Sequence, residues 1–239
     1  MDYNQLRIYA AQIATGAIVI PLVMALFRWQ QLNKALAIYF YFCLVTFILD
    51  LTEMTFIWSV KHYKDFFVPI LNAYHIKNTN FLRIFFDIKN FIFIGLFYKT
   101  VLSRKWQKEW VWRISLILIL IVCINYCCVQ GPHYAAGFNT VVDIIWSLVL
   151  PLIAMQYEFN RDTLVLIKRN PYFWINLALI TMGVLSLFFY LVSDKLQATD
   201  PNNLLAKLAI AKNGVYILSL CFVTIGFYHV RYTKYLPLK

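Results

Sequence analysis

Charge is what this sequence has least of. Asp, Glu, Lys and Arg make up 14% of its 239 residues, against ~25% in an average soluble domain. Apolar residues fill the difference, at 62% with a mean hydropathy of +0.65, where a soluble chain has ~45–50%. A soluble globular protein is excluded, and a single transmembrane domain over 1–239 is expected. Acids are the scarcer sign, 11 against 22 Lys and Arg. In a soluble chain the net charge of +11 would suggest nucleic acid. Here it reads as Lys and Arg in cytoplasmic loops, and no nucleic-acid partner is expected. The five cysteines (Cys43, Cys123, Cys127, Cys128 and Cys221) lie in apolar segments without CxxC spacing and read as small core residues. No GxSxG, HExxH or P-loop pattern occurs, so the chain is not expected to be an enzyme or to hold a cofactor.

What is there is long apolar runs. Seven stretches, near 6–27, 35–60, 81–100, 110–130, 138–158, 171–193 and 203–230, are each long enough for the ~20 helical residues that cross a bilayer. The fold class expected is therefore all-α, a seven-transmembrane-helix bundle. The first run is too long for a signal-peptide core and no small-residue cleavage site follows it, so it reads as a retained helix. Pro21 and Pro151 fall inside runs and should kink them.

Orientation follows from the basic residues. One set of connections holds Arg28, Lys34, Lys99, Arg104, Lys105, Lys108, Arg113, Arg161, Lys168, Arg169, Arg231, Lys234 and Lys239; the other holds Arg7, Lys61, Lys64, Lys77 and Lys195. The bias places the N-terminus outside and the C-terminus in the cytoplasm.

Against that background the charges inside the runs stand out. A charge at the centre of a membrane helix costs roughly 2.5–3.5 kcal/mol on insertion scales, so it is paired, cavity-facing or functional. Asp50 and Glu53 in the second run, Arg83, Asp87 and Lys89 in the third, Asp143 in the fifth, and Lys207 and Lys212 in the seventh fall at similar depth in the outer half. They are balanced in sign. Arg83, Asp87 and Asn90 share one helical stripe. Lys89 points about 200° away from Asp87 and needs another partner or must snorkel. Further stripes are Thr140, Asp143 and Ser147; Ser186, Tyr190 and Ser193; and Lys212, Tyr216 and Ser219. The site expected is a ligand or ion pocket walled by Asp50, Glu53, Arg83, Asp87, Asn90, Asp143, Tyr190, Lys212 and Tyr216. The alternative is a set of ion pairs tying the bundle together, Arg83 with Asp87 along one helix among them.

Other candidates are weaker. His62, His75 and His133 fall on the outer side, but their spacing matches no ligand motif and no metal is expected. The Gln130-Gly131-Pro132-His133 sequence reads as a tight turn. Lys212 with Asp87 or Asp143 invites comparison with a retinal Schiff base, yet seven helices alone do not imply that chemistry. The basic, tryptophan-rich connection at 103–113, with Arg104, Lys105, Trp106 and Lys108, is a candidate cytoplasmic contact; an interfacial anchor next to anionic lipid is its plainer reading.

The run Asn170-Pro171-Tyr172-Phe173-Trp174-Ile175-Asn176, with Lys212-Asn213, Tyr216 and Phe227-Tyr228 later, resembles seven-helix bacterial membrane proteins similar to the membrane sensor regions of some histidine kinases. The resemblance covers roughly the last 70 residues and implies an envelope-sensing context. No kinase catalytic domain is present, so signalling would require a partner. The function expected is a receptor-like or accessory protein of the bacterial cytoplasmic membrane, sensing a ligand, ion or partner. A small transporter or channel, with a pore formed by oligomerisation, and a structural subunit of a membrane complex are the alternatives. The partners expected are the lipid bilayer, a signalling or membrane-complex protein, and a second copy of the chain.

Overall fold

The computed structural model describes residues 3–73, 79–129, 137–159, 164–199 and 204–235, and every regular element among them is helical. The first apolar run forms two helices, α1 (Tyr3–Ala17) and α2 (Val19–Phe27), with Ile18 between them. The cause is Pro21, which has no N–H to offer the carbonyl four residues back. The ladder resumes where the Leu22 N–H donates to the Ile18 carbonyl at 3.4 Å. Pro151 has no such effect on continuity: α7 (Gly137–Phe159) runs through it.

The remaining helices are α3 (Lys34–His62), α4 (Lys64–Ala73), α5 (Arg83–Val101), α6 (Lys105–Ile124), α8 (Pro171–Thr199) and α9 (Leu204–Tyr228). A π-helical turn, Asn125–Val129, continues α6. Among the described residues, six segments are long and apolar enough to cross a membrane: Gln5–Phe27, Lys34–His62, Lys105–Val129, Gly137–Gln156, Pro171–Val192 and Leu204–Tyr228. The chain is a multi-pass membrane protein. The seventh expected span, α5, is a helix of 19 residues, but Arg83, Asp87, Lys89 and Lys99 set its composition apart from those six. The ten-residue α4, with Pro69 inside it and none of its residues buried, was not expected; its Phe67 ring meets Phe56 of α3 at 6.3 Å.

Long helices that follow one another in the chain alternate in direction, whereas α1/α2 and α9 pack side by side in the same direction, as do α5 and α7. At one end Thr79, just before α5, reaches Glu53 of α3, Tyr126 reaches the Phe81 carbonyl, and Lys207 lies over Tyr3. At the other end Asn33 reaches Tyr172, Arg28 lies over Tyr228 and Arg169 over Tyr232. Packing joins α3, α1/α2, α9, α8, α7 and α5 into a ring, with α6 outside it against α5.

The apolar core concentrates toward the Arg28 end, where Leu36, Phe97, Tyr98, Ile175 and Phe227 are each at most 1% exposed. One polar pair there crosses between helices, the Tyr98 hydroxyl donating to Asn176 Oδ1 at 2.6 Å. Of the cysteines only Cys43 is in the core; Cys127, Cys128 and Cys221 are exposed on the bundle surface. The expectation that all five are core residues is corrected accordingly. Thiols tolerate apolar surroundings on either side of a membrane helix, so apolar context alone does not tell core from perimeter.

The starts of α3 and α8 are tied together by their caps. Asn33 Oδ1 accepts from the Leu36 N–H at 3.1 Å, while its Nδ2 donates to the Tyr172 hydroxyl at 2.6 Å. Asn170 Oδ1 accepts from the Tyr172 N–H at 2.9 Å, with Pro171 in the first-turn position that suits its fixed φ. Asn33→Ala loses both a cap and a cross-helix bond, and is expected to cost about 1–2 kcal/mol. Asn33→Ser, which keeps a capping hydroxyl but is too short to reach Tyr172, should recover roughly half of that in thermal unfolding in detergent.

Candidate functional site

The polar residues of α5 leave it in three directions. Arg83 Nε pairs with Asp87 Oδ1 one turn on at 3.2 Å. Asp87 is completely buried and its Oδ2 has no hydrogen-bond partner among the described residues. One further turn along, Asn90 Nδ2 crosses to α7 and donates to Asp143 Oδ2 at 2.8 Å. The expected stripe of Arg83, Asp87 and Asn90 is thus present, and it faces α7.

Lys89 does not snorkel. It is 7% exposed and turns toward α3, where its ammonium donates to Thr46 Oγ1 at 2.8 Å. The rings of Phe42 and Phe86 lie 4.6 and 5.4 Å from the charge, a cation–π setting that softens burial without neutralising it. Asp143 and Asp50 are within Coulombic reach of Lys89, but among the described residues no acid comes within ion-pairing distance of it. Asp143 is in the same position: it is 6% exposed, and among the described residues its Oδ1 lacks a partner and it forms no ion pair.

Both charges line one cavity of about 220 Å³ at the middle of the ring. Thr46, Asn90, Ser147, Ser186, Tyr216 and Ser219 add polar atoms to its wall. Ile18, at the break between α1 and α2, lines it as well. No residue of α6 does, consistent with that helix lying outside the ring. The buried aromatic core around Phe97, Tyr98 and Phe227 lies toward the Arg28 end and closes the ring there.

Of the nine expected pocket residues, the cavity wall contains Asn90, Asp143 and Tyr216. The other six stand elsewhere. Glu53 accepts from the Thr79 hydroxyl at 2.5 Å, and Arg83 and Asp87 hold each other. Asp50 is half-buried on α3, near Glu53 and Lys89 in the electrostatic sense. Tyr190 packs against the start of α7, where a Cβ on Gly137 would stand 2.7 Å from its hydroxyl. The Lys212 ammonium lies 4.8 Å from the centre of the Phe189 ring. The charges therefore share a region of the bundle without forming a single pocket. What the sequence reading missed is Lys89, named as a buried charge but left out of the pocket, and Thr46, which had no periodic signal of its own. Ser147, Ser186 and Ser219 were visible as members of polar stripes.

The candidate contact residues Arg104, Lys105 and Trp106 are exposed and Lys108 is half-exposed, at the connection from α5 to α6. His62 stacks on Trp58 at 4.3 Å with its Nδ1 at 2.9 Å from the Trp58 carbonyl. His75, His133, the Gln130–His133 turn and the Ser193 side chain lie outside the described residues. Among those that are described, no group of His, Cys, Asp and Glu could hold a metal ion. Compared with family models, with curated proteins and with solved structures, the chain shows no match.

Proposed function

We propose that the chain is a receptor-like seven-helix protein of a bacterial cytoplasmic membrane that senses a small polar ligand in its central cavity. In this reading α5 is the seventh crossing, the N-terminus is outside and the C-terminus is cytoplasmic. The excess of Lys and Arg at the Arg28 end supports that orientation.

The observation that carries the reading is the state of Lys89 and Asp143. Both are more than nine-tenths buried, both line the cavity, and neither forms an ion pair with a described residue. Ion pairing that merely ties helices together accounts for Arg83 and Asp87 but not for these two. Buried charges without an ion-pair partner cost several kcal/mol each even after relaxation, so a site that holds them apart keeps them for something that enters. The aromatic floor toward the Arg28 end supports a pocket rather than a path across the membrane. Signal transfer has a starting point in Ile18, which stands at the break between α1 and α2. A filled and an empty cavity press on it differently, shifting the balance between two packings. The outgoing surface is the basic connection of Arg104, Lys105, Trp106 and Lys108, docking a cytoplasmic or membrane partner.

The test is thermal unfolding in nanodiscs with and without a pool of small polar metabolites. A ligand at a hundred times its Kd stabilises by about 2.7 kcal/mol, and Tm moves about 2–4 °C per kcal/mol in a chain of this size, so a rise of several degrees is expected. Lys89→Met and Asp143→Asn should remain folded and lose the rise. A rise that survives both substitutions, or solute flux in liposomes that both abolish, overturns the receptor reading.

A further inference from the structure

We infer that the central cavity receives a small zwitterion of amino-acid size, its anionic group on Lys89 and its ammonium group on Asp143. The inference rests on the pocket reading above and specifies its ligand.

The unused bonding capacity of the wall defines the ligand. An ammonium has three donors; Thr46 takes one from Lys89, which leaves two. Asn90 occupies Oδ2 of Asp143, and Oδ1 is without a partner among the described residues. The cavity thus offers donors with positive charge at one place and an acceptor with negative charge at another. Lys89 and Asp143 are within Coulombic reach of each other but do not pair.

Charge then discriminates among ligand classes. A simple anion drawn to Lys89 would also sit in the field of Asp143, and a simple cation drawn to Asp143 would meet Lys89. Each would add an uncompensated buried charge, which low-polarity surroundings penalise heavily. A zwitterion places each of its charges against the opposite one and adds no net charge. Size agrees with this. At ~30 Å³ per water, a 220 Å³ cavity has room for about seven waters, or for a free amino acid. The rest of the wall suits an apolar side chain, with Ile94, Leu179, Met182 and Val223 all lining it.

The test uses purified full-length protein in nanodiscs, with binding of the common free amino acids measured by calorimetry and thermal shift. Each amino acid is paired with its amide, which lacks the carboxylate, and its N-acetyl derivative, which lacks the ammonium. At least one amino acid should bind wild type, with both derivatives at least about tenfold weaker. Lys89→Met should erase the preference over the amide, and Asp143→Asn the preference over the N-acetyl form. Because the derivative comparison is made on wild type, the inference stays testable even if a variant fails to fold. Binding of an amide or N-acetyl derivative as tight as that of its parent, lost in one of the two variants, would overturn the zwitterion while leaving a sensing pocket in place. If neither amino acids nor the metabolite pool stabilise the protein, both readings fall together.

Discussion

Gly95→Val is expected to lower the unfolding temperature by roughly 6–12 °C, following a loss of about 3 kcal/mol. The α5 and α6 backbones come together at this residue. A Cβ placed on Gly95 would lie 2.9 Å from Ser115 Cβ, in hard overlap with Ser115 Oγ, and 3.8 Å from the Trp112 ring. Ser115 is itself completely buried. Its hydroxyl can rotate, but its Cβ cannot move without moving α6. Small residues at such a contact are what let membrane helices approach closely and gain dispersion energy, since lipid tails supply no hydrophobic drive between helices. Other glycines act as controls. A Cβ on Gly16 or Gly214 would meet nothing within 4 Å, so Gly214→Ala should be neutral or stabilising by up to about 1 kcal/mol, the ordinary helix-propensity gain. Adding Ser115→Gly to Gly95→Ala should restore part of the loss. Equal unfolding temperatures for Gly95→Val and Gly214→Val would refute the close contact.

The second large effect separates two ion pairs that look alike in sequence. Arg83–Asp87 and Glu109–Arg113 are both spaced four apart on a helix, at 3.2 and 3.7 Å. Their side-chain exposures are 44% and 1% in the first pair, and 49% and 71% in the second. An exposed pair of this spacing contributes about 0.3–0.5 kcal/mol, so Arg113→Gln should be nearly silent. Removing one partner of a fully buried pair costs about 3–5 kcal/mol, because the other charge is stranded. Arg83 is partly exposed and surroundings can replace some of it, so Arg83→Gln is expected to cost about 2 kcal/mol, still several times the surface value. The diagnostic is the double variant. Arg83→Gln with Asp87→Asn removes the stranded charge and should regain most of the stability in denaturation measured in one detergent. No recovery would mean that Asp87 is not the group that suffers.

The apolar runs and their ends were legible because a membrane helix needs length and hydropathy and little else. The break at Ile18 was legible too, as Pro21 acts on its own helix. The ten-residue α4 was not, since a run of that length is too short to read as a span and its Phe66 and Phe67 look like loop aromatics. Buried charges could be found in the sequence, but their grouping could not. A helical wheel gives the direction in which Lys89 leaves α5; it does not say that Thr46 of α3 stands there. Similar depth suggested one cluster, whereas lateral placement separates Glu53 with Thr79, Arg83 with Asp87, and Lys89 with Asn90 and Asp143. The buried pair in which Asn125 Nδ2 donates to Asn139 Oδ1 at 2.7 Å escaped notice because asparagines near helix ends are common as caps.

The position of α5 in the chain also bears on how the protein is made. As a crossing helix, α5 would reach the bilayer when Thr46 has already been synthesised and Asp143 has not. Until α7 arrives, Asn90 has no carboxylate to meet. A charge at the centre of a membrane helix costs roughly 2.5–3.5 kcal/mol on insertion scales, and Asp87 and Lys89 stand one to two turns inside α5. Partitioning of α5 into lipid on its own is therefore unfavourable, and its settled position depends on later segments. With α5 as a seventh crossing, biogenesis would then proceed in two stages, the six apolar segments entering first and α5 reaching its final depth when α7 closes against it.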